Sequence, residues 1–156
     1  TTPRPSPHHA LASSSLTDEL VGPFQKGRGG PGGWIILDEP ELHLGSHVLV
    51  PDLAGWRRER LAELPETSWI EVAPDWVCEV LSPSTSRIDR AEKMPIYGSQ
   101  GVGYLWLIDP ILQLLEVYDR QEDGRWLLLS TRQGSEVVNE PPFDAVAIEL
   151  AGLWSY

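Results

Sequence analysis

One cysteine and one methionine are present among 156 residues, and no apolar run is long enough to cross a bilayer. The lone Cys78 cannot close an intramolecular disulfide and has no companions for a zinc knuckle. Set in an apolar run, it reads as a small buried hydrophobe rather than a nucleophile. No basic-plus-apolar leader stands at Thr1, so the sequence predicts a cytoplasmic protein with no membrane partner. Positive charge is scarce as well: 12 Lys and Arg face 23 Asp and Glu, for a formal net charge of −11. That balance excludes a protein that coats nucleic acid by bulk electrostatics, but not a nuclease. Half of the basic residues fall between Arg57 and Lys93 (Arg57, Arg58, Arg60, Arg87, Arg90 and Lys93). For Arg57, Arg58 and Arg60 a solvated charged face is the plain reading.

The length fits a single domain over residues 1–156, with an extended Pro-rich segment at 1–7. Leu16, Leu20 and Phe24 recur at helical spacing and predict a helix from His8 to about Phe24, with His9 near the same stripe. On its own His9 reads as a solvated or capped histidine. Lys26 to Gly33 is rich in glycine but lacks the strand before it and the Lys-Ser/Thr ending that a phosphate-cradling loop needs, so it is a connector. Trp34 to Leu44 and His47 to Trp56 predict two strands joined by a tight turn at Gly45-Ser46, with His43 and His47 at an exposed strand end. Arg57 to Ala73 reads as a helical or looped excursion. Beyond a turn at Asp109-Pro110, the segments Leu114 to Tyr118, Trp126 to Thr131 and Ala145 to Leu150 predict antiparallel strands.

The stretch from Pro74 to Asp109 organises the chain. Glu79 alone interrupts an apolar run of strand formers, and a carboxylate facing a core is costly unless it is paired or bound to a metal. Strand periodicity places Trp76, Cys78 and Val80 on one face and Val77, Glu79 and Leu81 on the other. Asp52 repeats the pattern within Val48 to Ala54, where Pro51 costs a ladder hydrogen bond and makes the strand irregular. Glu39 and Glu41, flanking Pro40, are weaker candidates. After Glu79 comes a Ser/Pro turn and then a helix, for which Asp89 and Glu92 read as a capping-box pair. Lys93 falls near its first turn, Pro95 bends or loosens it, and Gly101 closes it in a left-handed conformation. The element order is therefore helix-strand-strand-strand-helix-strand with a β-rich tail, an α/β (α+β) chain. Two carboxylates on adjacent strands beside a lysine suit metal-assisted phosphodiester hydrolysis, in which the acids hold Mg²⁺ against a phosphate oxygen.

On these residues the chain resembles the PD-(D/E)XK nuclease superfamily, and within it the Uma-type restriction endonuclease family. The segments that carry the resemblance are Pro5-Ser6-Pro7-His8-His9, Val50-Pro51-Asp52, Pro74 to Thr85, Asp89 to Lys93 with Tyr97, and Gly101 to Pro110. It implies a restriction-endonuclease-like core around a mixed sheet, with the β-rich tail as a C-terminal antiparallel extension. It also implies a Mg²⁺- or Mn²⁺-dependent endonuclease acting on DNA, with Asp52 and Glu79 as metal ligands and Asp52, Glu79 and Lys93 as the catalytic set. Asp75 also follows a proline, but four residues before Glu79 it shares that acid's strand, so Asp52 is the better match. The superfamily's lysine would fall at Leu81; in the Uma-type family it comes from the following helix, which matches Lys93. The resemblance also brings in His9 and Tyr97 as substrate-binding or supporting groups, and Arg57 and Arg87 are further candidates for such roles.

Three functions compete. The first is the metal-dependent DNA endonuclease. The second is a non-catalytic relic of the nuclease fold serving as a dimeric binding module, its acids paired with arginines such as Arg57 or Arg87. The third is a hydrolase of a smaller phosphate ester. Duplex cleavage and the apolar tail (Leu114, Val117, Tyr118, Trp126, Leu128 and Trp154) together predict a homodimer.

Overall fold

A computed structural model describes residues 4–156, so the first three residues of the expected extended segment lie outside the described residues. Helix α1 (Pro7–Leu20) opens where the sequence supplies both start signals. The Ser6 hydroxyl accepts the His9 N–H at 3.2 Å, and Pro7 occupies a position whose missing N–H costs nothing. Ala12, Leu16 and Leu20, four residues apart, are fully buried against the sheet. The helix then widens into a π-helical turn, Val21–Gln25, which accommodates Pro23 and buries Phe24.

The main sheet has six strands in the order β1 (Trp34–Asp38), β4 (Leu53–Arg57), β5 (Trp76–Val80), β6 (Tyr104–Asp109), β7 (Leu114–Arg120) and β8 (Trp126–Gln133). Only β5 and β6 run parallel, so the sheet is mixed. The two long strands expected around Gly45-Ser46 are four short ones. The chain breaks at Glu39 to Glu41 and at Val50 to Asp52, and between the breaks β2 (Leu42–Leu44) and β3 (His47–Leu49) form a separate two-stranded hairpin. Pro40 and Pro51, which cannot donate to a ladder, stand at the two breaks. Gly45 takes the expected turn, with φ at +60°. The excursion from Arg58 to Ala73 contains no helix; an isolated bridge from Ile70 to Leu42 ties it down.

Each face of the sheet carries its own core, and the alternation along β5 divides its residues between them as expected. Trp76, Cys78 and Val80 join α1 and the C-terminal segment on one face. There Phe143 sits within 4.8 to 5.7 Å of the rings of Phe24, Trp34, Trp76 and Trp106. Val77 and Leu81 join the β2–β3 hairpin and Tyr97 on the other face. Glu79 points into that second core and is 2% exposed.

Between the parallel strands the chain crosses over as α2 (Ser86–Ile88), a π-helical turn (Asp89–Lys93) and α3 (Met94–Ser99), ending at Gly101 with φ at +86°. The loosened turn lies directly before Pro95, as the missing N–H requires. The capping-box reading of Asp89 and Glu92 is corrected: helical geometry begins at Ser86, and Asp89 is buried three residues inside it. The crossover is tied to the C-terminal extension. Arg90 pairs with Glu116 at 2.5 Å, the Trp126 indole donates to the Met94 carbonyl at 2.8 Å, and Arg120 donates to the Gly98 carbonyl. In the tail, the strand expected over Ala145 to Leu150 shrinks to β10 (Ile148–Glu149), which pairs with β9 (Val137–Val138) apart from the main sheet. Strand β8 is an edge of the sheet, with Leu127, Leu128 and Leu129 each 43 to 50% exposed. Of the six tail residues expected at a twofold contact only Leu128 is exposed, and Val117 is core.

Candidate active site

Strands β4 and β5 run antiparallel with Leu53 opposite Cys78, so the next pair along the ladder sets Asp52 opposite Glu79. The two acids are joined through the backbone. The Asp52 N–H donates to Glu79 Oε1 at 3.3 Å, and Asp52 Oδ2 accepts the Val80 N–H at 2.7 Å. Pro51 has ended regular pairing here, which frees the Asp52 side chain to take the place of a strand neighbour for Val80.

Lys93 comes from the crossover, as the resemblance implied. Its Nζ lies 3.1 Å from Glu79 Oε2, and the same oxygen accepts the Tyr97 hydroxyl at 2.9 Å. Tyr97 is one turn beyond Lys93 and fully buried. On the other flank, His9 Nε2 meets Asp52 Oδ1 at 3.3 Å, so helix α1 delivers a third element to the site. The plain reading of His9 as a solvated residue is therefore corrected. Asp89 completes the cluster, with Oδ1 3.6 Å from the Lys93 ammonium. Sequence reasoning missed this residue as a site member because an acid near a helix start resembles a cap. Its spacing of four from Lys93 was the available signal.

The electrostatics follow from burial. Desolvation pushes Glu79 up to about 8, against the pull of Lys93 and with repulsion from Asp89 and Asp52 adding to the rise. Asp89 is likewise raised by burial, with Lys93 opposing. The hydrogen bond to Asp52 raises His9 against the opposing effect of burial. Lys93 is raised, because the carboxylates around it outweigh its own desolvation. Burial and the neighbouring Glu79 keep the Tyr97 phenol protonated, so it acts as a donor.

Two other expected residues are elsewhere. Arg57 ends β4, five residues and roughly 16 Å of strand from Asp52; its guanidinium lies over the Trp34 ring at 4.6 Å and its N–H donates to Asp75 at 2.8 Å. Arg60 pairs with Asp75 at 3.0 Å, so the second Pro-Asp pair is a structural anchor at the far end of the sheet. Arg87 is exposed. Of the weaker acids, Glu41 pairs with His43 at 2.8 Å, while Glu39 reaches the rim of the site. Glu39 holds a left-handed φ of +48°, and its N–H donates to the Asp52 carbonyl at 2.9 Å.

A cleft of about 380 Å³ opens onto Asp52 and His9, walled by Ser13, Ser14 and Thr17 of α1 and by Asp38 and Glu39. Asp52 and Glu79 are hard oxygen donors. Among the described residues no group of three or more His, Cys, Asp or Glu is placed to hold a metal ion. Mg²⁺ or Mn²⁺ commonly takes one or two carboxylates, with water and phosphate oxygens completing the octahedron, and this pair fits that pattern.

Comparison with known proteins gives the family and the fold. A family model, Uma2, described as "Putative restriction endonuclease", matches residues 1–151. A crystal structure described as a "putative nuclease belonging to DUF820" from Anabaena variabilis superposes with a TM-score of 0.76 at 22% identity, covering 99% of this chain and 84% of that one. That likeness establishes the fold. The mouse protein described as "Inactive serine/threonine-protein kinase TEX14" is 27% identical over 122 residues, which are 75% of this chain and 8% of that protein. The chain thus spans a small fraction of that relative.

Proposed function

Because this chain belongs to the Uma2 restriction endonuclease family, we propose that it is a Mg²⁺- or Mn²⁺-dependent endonuclease that hydrolyses DNA phosphodiester bonds with Asp52, Glu79 and Lys93. The observation that carries this reading is the convergence of two strand acids and a helix lysine in one hydrogen-bonded cluster, with the Asp52 end open to a cleft. Asp52 and Glu79 would hold the ion, which when bound would supply Lewis-acid activation of the phosphate and of a water nucleophile. Lys93 keeps a positive charge beside Glu79 and offsets charge that develops on the phosphate in the transition state. Tyr97 orients Glu79 through its hydroxyl, and His9 does the same for Asp52. The DNA strand enters along the cleft beside α1. Two copies paired through their β8 edges would present two such sites to a duplex.

The test is nicking of supercoiled plasmid with Mg²⁺ or Mn²⁺ and a chelator control. The wild type is expected to nick, and Asp52→Asn, Glu79→Gln and Lys93→Met to lose about a hundredfold or more of the rate. A wild type that binds Mn²⁺ yet leaves plasmid, linear duplex and single strands intact would favour the binding-module reading.

A further inference from the structure

We infer that Asp89 is a positioning residue for Lys93, the counter-ion that keeps the ammonium in the site once Glu79 gives its charge to a bound cation; this rests on the two-acid reading above. Asp89 is 4% exposed, so its burial calls for a partner. Capping is not that purpose, since the helix begins three residues earlier and no residue of α2 or the π-helical turn shows a side-chain cap. Asp89 stands in the crossover against Lys93, not on the two strands that bring Asp52 and Glu79 together. Arg90, next in the chain, turns away to Glu116. The cation Asp89 faces is Lys93, at 3.6 Å.

The need for it follows from charge. Lys93 rests 3.1 Å from Glu79, which shares that oxygen with Tyr97. Were Glu79 to hold a divalent ion, its charge would be shared with that ion, and an ammonium held by Glu79 alone would swing into solvent. Asp89 lies in the same π-helical turn as Lys93, four residues before it, so the backbone of that turn sets their separation independently of the metal. The ammonium has three N–H donors. One of them is donated to Glu79, and Asp89 faces the ammonium as a counter-ion at 3.6 Å.

Amine labelling of the whole chain by acetic anhydride, read by peptide mass spectrometry with and without Mn²⁺, tests this. Lys26, the other lysine and an exposed one, is the internal reference. In the wild type Mn²⁺ is expected to leave Lys93 protected. In Asp89→Asn, Mn²⁺ should raise Lys93 labelling about tenfold relative to Lys26, as loss of a partly buried ion pair implies, and Asp89→Glu should restore most of the protection. In nicking assays Asp89→Asn should lower kcat with little change in KM, and the double variant with Lys93→Met should be no slower than Lys93→Met alone. If Asp89→Asn gives no cooperative melt, Thr85→Val, which removes a nearby hydroxyl that favours the charged form of Asp89, should raise labelling a few-fold. Unchanged labelling in a wild type and variant that both bind Mn²⁺ and nick overturns this inference alone. A wild type that neither binds Mn²⁺ nor nicks overturns the two-acid reading and this inference with it.

Discussion

A buried carboxylate is costly unless positive charge sits beside it, and Glu79 has one ammonium that it shares with Asp89. In the metal-free protein this cost has a definite pH dependence. Glu79 is raised from 4.5 to about 8, so its contribution to stability is fully present below about 4.5 and is lost as the pH rises through 8. Asp89 and His9 are raised too, and each acts with the same sign, losing its contribution as the pH climbs through its folded-state value. The melting temperature without metal should therefore fall between pH 5 and pH 8. Glu79→Gln should flatten that fall and leave the metal-free protein equally or more stable at pH 8, while weakening Mn²⁺ binding. Stabilisation by saturating Mg²⁺ should grow over the same interval, because the ion competes with the proton on Glu79. Calorimetric melts at several pH values check all three; a melting temperature that rises with pH would mean Glu79 is held charged by a partner other than a metal.

At the level of elements, what could be read from the sequence was what local chemistry controls. Period-two burial assigned the faces of β5, Pro95 announced the loosened turn, and Gly101 ended the helix. Asp52 and Glu79 were legible because each is an acid among strand formers. The breaks in the first hairpin were not, since leaving the main sheet after Asp38 depends on the hairpin's own packing against Ile70 and the second core. Nor was the seating of the crossover, which relies on contacts from residues distant in sequence: Glu116, Arg120 and Trp126. Nothing in the pattern of Arg57 betrayed that β4 would carry it away from the site. The seating can be tested at Gly98, where an added Cβ would collide with the Gly124 carbonyl oxygen in the β7–β8 turn. Gly98→Ala should cost about 1 to 3 kcal/mol. It should lower kcat more than metal affinity, because the acids stand on the sheet while Lys93 rides on the displaced segment. Denaturant titration and Mn²⁺ calorimetry, run beside the nicking assay, separate the two effects.

For the whole molecule, charge and shape pull apart. The arginines of β4 and its following turn sit at the end of the sheet away from the acids, while the cleft beside Asp52 is walled by Asp38 and Glu39. The eight residues of β8 leave one edge of the sheet unpaired, and natural sheets usually protect such an edge with charge, proline or a cover. Here three leucines are exposed in succession, and a second copy is the proposed cover. Two chains of −11 each repel one another, and that repulsion is screened over about 10 Å at 0.1 M salt. Adding salt should therefore strengthen pairing through β8, since apolar contact survives screening, while it weakens any hold on DNA phosphates. Light scattering and DNA-binding titrations across an ionic-strength series should move in opposite directions. The open edge would thereby give the protein an optimum ionic strength for cutting duplexes, set by where enough copies are paired and DNA is still held.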